Sequence, residues 1–416
     1  MKSKNRIGLA QVSGCALLCL LITFLIRLQI TSGGNTINYF WHDKYNTGMD
    51  FFHSIEYVRT KKPYEQFEVV YPPLANLFFY LIYSFVAGSY PENTSETFWQ
   101  SLEMVGTPND LRLFQGPMMA FLIFIIGCIS SMLFMLINRF GNKTKGTTLL
   151  SLGVISSYGI LYCLERGNIL LLSLVTLLFF LFNYDSKDGL IREMAIICLA
   201  ISFGLKIYPA IFGLVLLKEK KYGLAIRSAL YGLITLFTPL LFFEEGLDGL
   251  ILWMKTMASF KPNIPAPQAG SGMNAILYSI QEMLIGYGIK LSNKGFVFIS
   301  FAVFLFLLIM AFLLKKRWTT LTALTLAIIL LQSQADYVYC LFLIPLLFFV
   351  EEEKTLTCSN VVPTTCLILL NGNIPVFYNY LVFYPRAMIA HILMLTMTTY
   401  IILITYKERH DARMGK

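Results

Sequence analysis

Long apolar runs broken by short polar segments set the pattern of this chain. The runs cover residues 7–30, 112–137, 148–164, 168–183, 191–205, 207–217, 222–243, 296–314, 319–333, 337–350, 359–371 and 386–406. Runs near ~20 residues are long enough to cross ~30 Å of hydrocarbon as helices. Backbone groups in lipid need partners within their own element, and runs this continuous lack the alternation of barrel strands. The pattern predicts an all-α polytopic membrane protein with about twelve transmembrane helices. Residues 1–416 then form a single integral membrane domain. The first run is longer than the apolar core of a signal peptide and no A-x-A site follows, so it reads as a retained span.

The charges between the runs orient them. Lys2, Lys4 and Arg6 place the N-terminus in the cytoplasm, and basic loops at Arg139–Lys145, Lys187–Arg192, Lys218–Arg227, Lys315–Arg317 and Lys407–Lys416 belong on the same side. Both termini are then cytoplasmic. One apolar run, 74–87, is left over. If it crossed, the Arg139–Lys145 cluster would fall outside. At ~1.5 Å per residue it is also too short to span. It is read as a helix lying on the outer surface, which makes 31–111 one large extracytoplasmic loop and 244–295 a second. The second contains Lys261–Pro267 and Gly270–Gly272.

Composition agrees with the pattern: 56% of residues are hydrophobic and 14% charged, against about 25% charged in soluble domains. A net charge of +9 would suggest nucleic acid in a soluble protein, but here the basic residues sit mostly in short loops, so no nucleic-acid partner is expected. The eight cysteines form no CxxC or Cys/His pairing, and seven lie in apolar runs: Cys15, Cys19, Cys128, Cys163, Cys198, Cys340 and Cys366. They read as small core residues. With four histidines and no HExxH, a metal site is not expected.

Under this topology the unusual polar residues collect on the outer face. Asp50, His53, Arg59, Lys61 and Lys62 lie in the first outer loop, with the turn-forming pairs Lys62-Pro63 and Tyr71-Pro72-Pro73. Glu165-Arg166-Gly167-Asn168 falls between two runs. Lys206 sits in Gly-Leu-Lys-Ile-Tyr-Pro (204–209), a proline break. Asp336 sits in Gln-Ser-Gln-Ala-Asp-Tyr (332–337). Charges at membrane depth cost ~3 kcal/mol on insertion scales, and cations outside run against the inside bias, which suggests a polar cavity for an anionic ligand. Each residue also has a simpler role. Asp50 is a good N-cap for a helix over Phe51–Val58. Lys61 and Lys62 suit a headgroup-facing surface. Lys206 is long enough to snorkel. Glu165 and Arg166 can pair with each other and shape a turn, and His53 is a polar neighbour rather than a metal ligand.

Several of these segments resemble glycosyltransferase family 87, membrane enzymes of the GT-C fold that include polyprenyl-phosphomannose-dependent mannosyltransferases. Asp50-Phe51, Pro63-Tyr64 and Tyr71–Leu74 resemble the family's first outer loop. Arg166-Gly167-Asn168 resembles its Arg-Gly-Asn turn, and 204–209 its Lys-x-x-Pro element. Gly270–Asn274 loosely resembles a later outer-loop motif, and Ser333–Pro345 its late motif. The late motif lacks the histidine that members often carry; Asp336 and Tyr337 are the polar candidates in its place.

The resemblance implies an inverting hexosyltransferase, mannosyltransferase-like, acting on the outer face of a bacterial plasma membrane. Its partners would be a polyprenyl-phosphate sugar donor, a glycan or glycolipid acceptor and membrane lipid. Asp50 matches the family's catalytic position and would be the base. Lys206 and Arg166, with Arg59, Lys61 and Lys62 behind them, would hold the phosphate. His53, Asn168, Tyr71 and Asp336 complete the expected substrate contacts. Side chains suffice for an already anionic leaving group, so no cofactor is implied. Two other classes share parts of the pattern. A flippase of lipid-linked sugars would use the same cations without Asp50, but should show internal repeat symmetry, which the sequence lacks. A polymerase or ligase of lipid-linked glycans would carry a larger, arginine-rich outer loop.

Overall fold

The computed structural model describes residues 8–32, 47–89, 110–141, 145–259, 271–285, 293–331, 336–375 and 383–413. It is nearly all helical, with no strand among the described residues. Each predicted run is mostly helical in its described part. Among the described residues, five helices are long and apolar enough to cross a membrane: Leu9–Ile30, Gln115–Phe140, Tyr222–Phe242, Gly295–Leu313 and Arg386–His410. A sixth is counted if Lys145–Ile155 and Tyr158–Arg166, bent by 47° at their junction, form one broken span. The remaining apolar helices are shorter, among them Pro73–Val86, which covers the 74–87 run. Glu92, Glu96, Glu103, Lys261–Pro267, Gly270 and Gln332–Ala335 lie outside the described residues.

The chain divides into two compact units. The first draws on Met1–Tyr39, Leu136–Leu161 and Pro262–Lys416. Its helices meet where small residues let backbones touch. A Cβ on Gly14 would stand 2.3 Å from the Leu149 backbone, so helix Leu9–Ser32 lies directly on Lys145–Ile155. Helix Arg317–Leu331 is buried from Trp318 to Leu330, and Leu343–Val350 is buried likewise. The acids at the end of the latter helix have partners: Glu351 takes Arg139 at 2.7 Å, Glu352 accepts from Trp318 N at 3.0 Å, and Glu353 takes Lys316 at 2.5 Å.

The second unit draws on Phe40–Met135 and Tyr162–Lys261. Its segment 47–89 folds into three α-helices: Met49–Tyr57, Pro63–Phe67 and Pro73–Val86. Pro63 and Pro73 each occupy the first helical position, where a missing N–H costs nothing and the fixed φ suits the helix. The prolines that read as turns therefore start helices. Glu245 accepts from the N–H groups of Tyr64 and Glu65 and so caps the middle helix. Trp253 donates to the Val70 carbonyl at 3.2 Å. Buried Phe51 meets Phe52, Phe79, Phe121 and Phe124 at ring separations of 5.3–5.7 Å. These contacts tie the polar segment to the apolar helix beneath it. Helices Leu170–Asn183 and Gly189–Leu205 are joined through Ser173 and Ser202, whose hydroxyls lie 2.9 Å apart.

Candidate functional site

The site lies in the second unit and grows from two left-handed glycines. Gly48 (φ 73°) turns the chain into helix Met49–Tyr57, and its N–H donates to the Glu165 carbonyl at 2.6 Å. Gly167 (φ 65°) ends helix Tyr158–Arg166; a Cβ there would stand 2.7 Å from the Phe51 Cβ. Positive φ is where glycine alone avoids a Cβ penalty. Together the two turns bring residues 48–53 and 165–168 into contact.

Asp50 is not the cap of this helix. The helix begins one residue earlier, at Met49, with Gly48 in the cap position and no side-chain cap bond. The Asp50 carboxylate points elsewhere. Oδ1 accepts from Arg166 Nη2 at 2.7 Å, and Oδ2 accepts from Asn168 Nδ2 at 2.6 Å. Asn168 is buried and held at its other end, because its Oδ1 accepts from Leu170 N at 2.9 Å and helps start the next helix. In Arg-Gly-Asn, then, the arginine reaches Asp50, the glycine turns and the asparagine anchors. Arg166 pairs with Asp50 across the turn, and the charge of its neighbour Glu165 also bears on it. Glu165 is buried and accepts from the Thr47 hydroxyl at 3.2 Å.

Burial pushes the Asp50 carboxyl up, but the Arg166 guanidinium, the bonds from Arg166 and Asn168, and the Lys206 charge outweigh it. The group is held below the ordinary carboxylate range. One turn on, burial pushes the His53 imidazole down to about 4 against the pull of Asp50, so it is neutral near pH 7. Its Nε2 is buried with no hydrogen-bond partner among the described residues. Tyr57, next on the same face, is pushed up to about 12 by burial and by the Asp50 charge.

Lys206 follows helix Gly189–Leu205 in extended conformation. The proline break is present: a 3-10 turn, Tyr208–Gly213, carries Pro209, and a short helix, Leu214–Lys218, follows. Lys206 Nζ lies 4.3 Å from the centroid of the Tyr71 ring, a cation–π contact, and its charge bears on Asp50.

The other predicted cations are engaged elsewhere. Arg59 pairs with Glu56 at 2.9 Å, and Lys62 with Glu65 at 3.1 Å. Lys61, itself at φ 58°, stands 5.5 Å over the Tyr80 ring. Asp336 belongs to the first unit, where it accepts from the Tyr158 hydroxyl at 2.9 Å.

Two arginines escaped the sequence reading. Arg112 chelates Asp110 at 2.7–3.2 Å and donates to the Thr47 carbonyl at 3.2 Å, which braces the turn before Asp50. Arg386, fully buried in the first unit, has its guanidinium carbon 3.5 Å from the Tyr158 ring centroid and 4.9 Å from that of Tyr339. A lone arginine opening an otherwise apolar run was the available signal for Arg386. No group of three or more potential metal ligands occurs among the described residues.

No protein-family model, no curated protein and no solved structure matches this chain. The resemblance to family 87 therefore rests on the motifs alone.

Proposed function

We propose that this protein is an inverting membrane glycosyltransferase. It moves a hexose, mannose-like by resemblance, from a polyprenyl-phosphate donor to a hydroxyl of a glycan or glycolipid acceptor. The proposed setting is the outer face of a bacterial plasma membrane, in a GT-C-like arrangement of about twelve spans that counts the shorter helices as crossings. One observation carries the reading. Three of the family-like motifs, far apart in sequence, converge: Asp50 bonds Arg166 and Asn168, while Lys206 stands on Tyr71 and bears on Asp50.

The chemistry needs those groups. The acceptor oxygen attacks the anomeric carbon from the face opposite the phosphate, which inverts the configuration. The C–O bond to phosphate breaks as the new C–O bond forms, and the hydroxyl proton passes to Asp50. A positioned base contributes ~10²–10⁴ in rate. Lys206 and Arg166 receive the growing negative charge on the leaving phosphate through charge-assisted hydrogen bonds. The test is transfer of radiolabelled mannose from polyprenyl-phosphate mannose by the purified protein in lipid, with Asp50→Asn as the comparison. Labelled lipid crossing the bilayer without consumption of donor would replace this reading with a flippase.

A further inference from the structure

In the structure the proposed base and a proposed phosphate ligand are bound to each other. Both Asp50 oxygens are occupied, one by Arg166 and one by Asn168. The two donors differ in how readily they can leave. Asn168 is short, buried and fixed at its other end by the Leu170 N–H. Arg166 ends a long flexible side chain that is 22% exposed, and the Asp50 side chain is 15% exposed, so the pair is reachable from outside.

We infer that a phosphate group on the lipid donor takes Arg166 away from Asp50, so that the base is released only when donor is bound. This rests on the transferase reading and specifies how its site is regulated. Charge supports the exchange. Asp50, Arg166 and Lys206 together carry one excess positive charge, and a phosphodiester donor brings one negative charge. The exchange therefore swaps one carboxylate–guanidinium pair for a phosphate–guanidinium pair, with Lys206 alongside as a second cation. Transfer leaves the net charge unchanged. The acceptor proton neutralises Asp50, the leaving phosphate gains a second negative charge, and Arg166 and Lys206 face it. Water is kept from a released base while the site holds no donor. Return of Arg166 to Asp50 after the product departs resets the site.

The test is a double-mutant cycle on binding of polyprenyl monophosphate to the full chain in lipid, which needs no turnover. Competition for one guanidinium makes Asp50→Asn tighten binding, by about tenfold for one displaced ion pair, and makes Arg166→Gln weaken it. In the Arg166→Gln background, Asp50→Asn then has no further effect. Equal tightening in both backgrounds would mean that Asp50 only repels phosphate at a distance, and no tightening would mean that the pair never opens; either overturns the exchange. Infrared difference spectra of the wild type give a second readout that does not depend on how Arg166→Gln folds. The Asp50 carboxylate band, identified by its loss in Asp50→Asn, shifts on adding polyprenyl monophosphate; an unmoved band overturns the inference. The exchange observed in a wild type that transfers no sugar would sink the transferase reading and leave the exchange standing.

Discussion

Asp50 shows how a residue's neighbours decide its role. By type and position it suits a helix cap, and only the placement of Gly48 in the left-handed region and of Arg166 across the turn directs it outward. That placement is not readable locally, because it depends on a turn more than a hundred residues later in the chain. The Arg-Gly-Asn motif was legible as a motif, but the division of work within it was not. Asn168→Ala removes both the Asp50 donor and the bond to Leu170 N. Leaving buried polar groups unpartnered costs ~1–3 kcal/mol, so thermal unfolding of the variant shifts down and transfer falls with it. Asn168→Asp keeps the helix-start bond but sets two carboxylates together. It restores stability less than it loses activity, in the same two assays. His53 gives a prediction in pH. Its imidazole is held down to about 4 from an ordinary 6.5. A lowered pKa favours the neutral form in the folded state, so its contribution to stability is full above pH 6.5 and is lost as pH falls toward 4. Nitrogen-15 spectra of histidine-labelled protein follow it directly: the His53 resonance titrates near 4, and a midpoint near 6.5 would contradict the burial described.

At the scale of elements, hydrophobic pattern located the long helices, whereas Pro63 and Pro73, which read as turns, start helices. Runs 112–137, 222–243, 296–314 and 386–406 correspond to long helices, because apolar continuity at that length has few other outcomes. The pattern said less about what surrounds each helix. Run 319–333 reads as a span like the others, yet Trp318–Leu330 is buried. Lipid tails and a protein core are equally apolar, so composition does not distinguish them. Charge spacing did not show the neighbours of the cations: Arg59 pairs with Glu56, Lys62 pairs with Glu65, and Lys61 stands over the Tyr80 ring. The turns that build the site are its most exacting elements. Gly167→Ala places a Cβ 2.7 Å from the Phe51 Cβ in a left-handed residue, which costs ~1–2 kcal/mol from conformation alone and moves Arg166 off Asp50. Thermal stability and transfer drop together, whereas Gly223→Ala, inside a helix where a Cβ meets nothing within 4 Å, leaves transfer unchanged and does not lower stability.

For the whole molecule, the central question is which face the Asp50 segment occupies. The proposed topology puts residues 47–89 outside and the loop after Leu214–Lys218 inside. Single cysteines at Gln66 and Lys220, in a chain whose native cysteines are replaced by serine, test it in intact cells. A membrane-impermeant maleimide labels position 66 and spares 220; the reverse pattern would move the site to the cytoplasm and remove the case for an outer-face donor.

The most direct measurement is transfer of radiolabelled mannose from polyprenyl-phosphate mannose by wild type and by Asp50→Asn in lipid. Asn keeps the size of the side chain and a bond to Arg166 but is no base at neutral pH. Wild type is expected to transfer, and Asp50→Asn, folded and able to bind polyprenyl phosphate, to be slower by ~10²–10⁴. Equal rates for the two proteins would contradict this and would return Asp50 to a structural role.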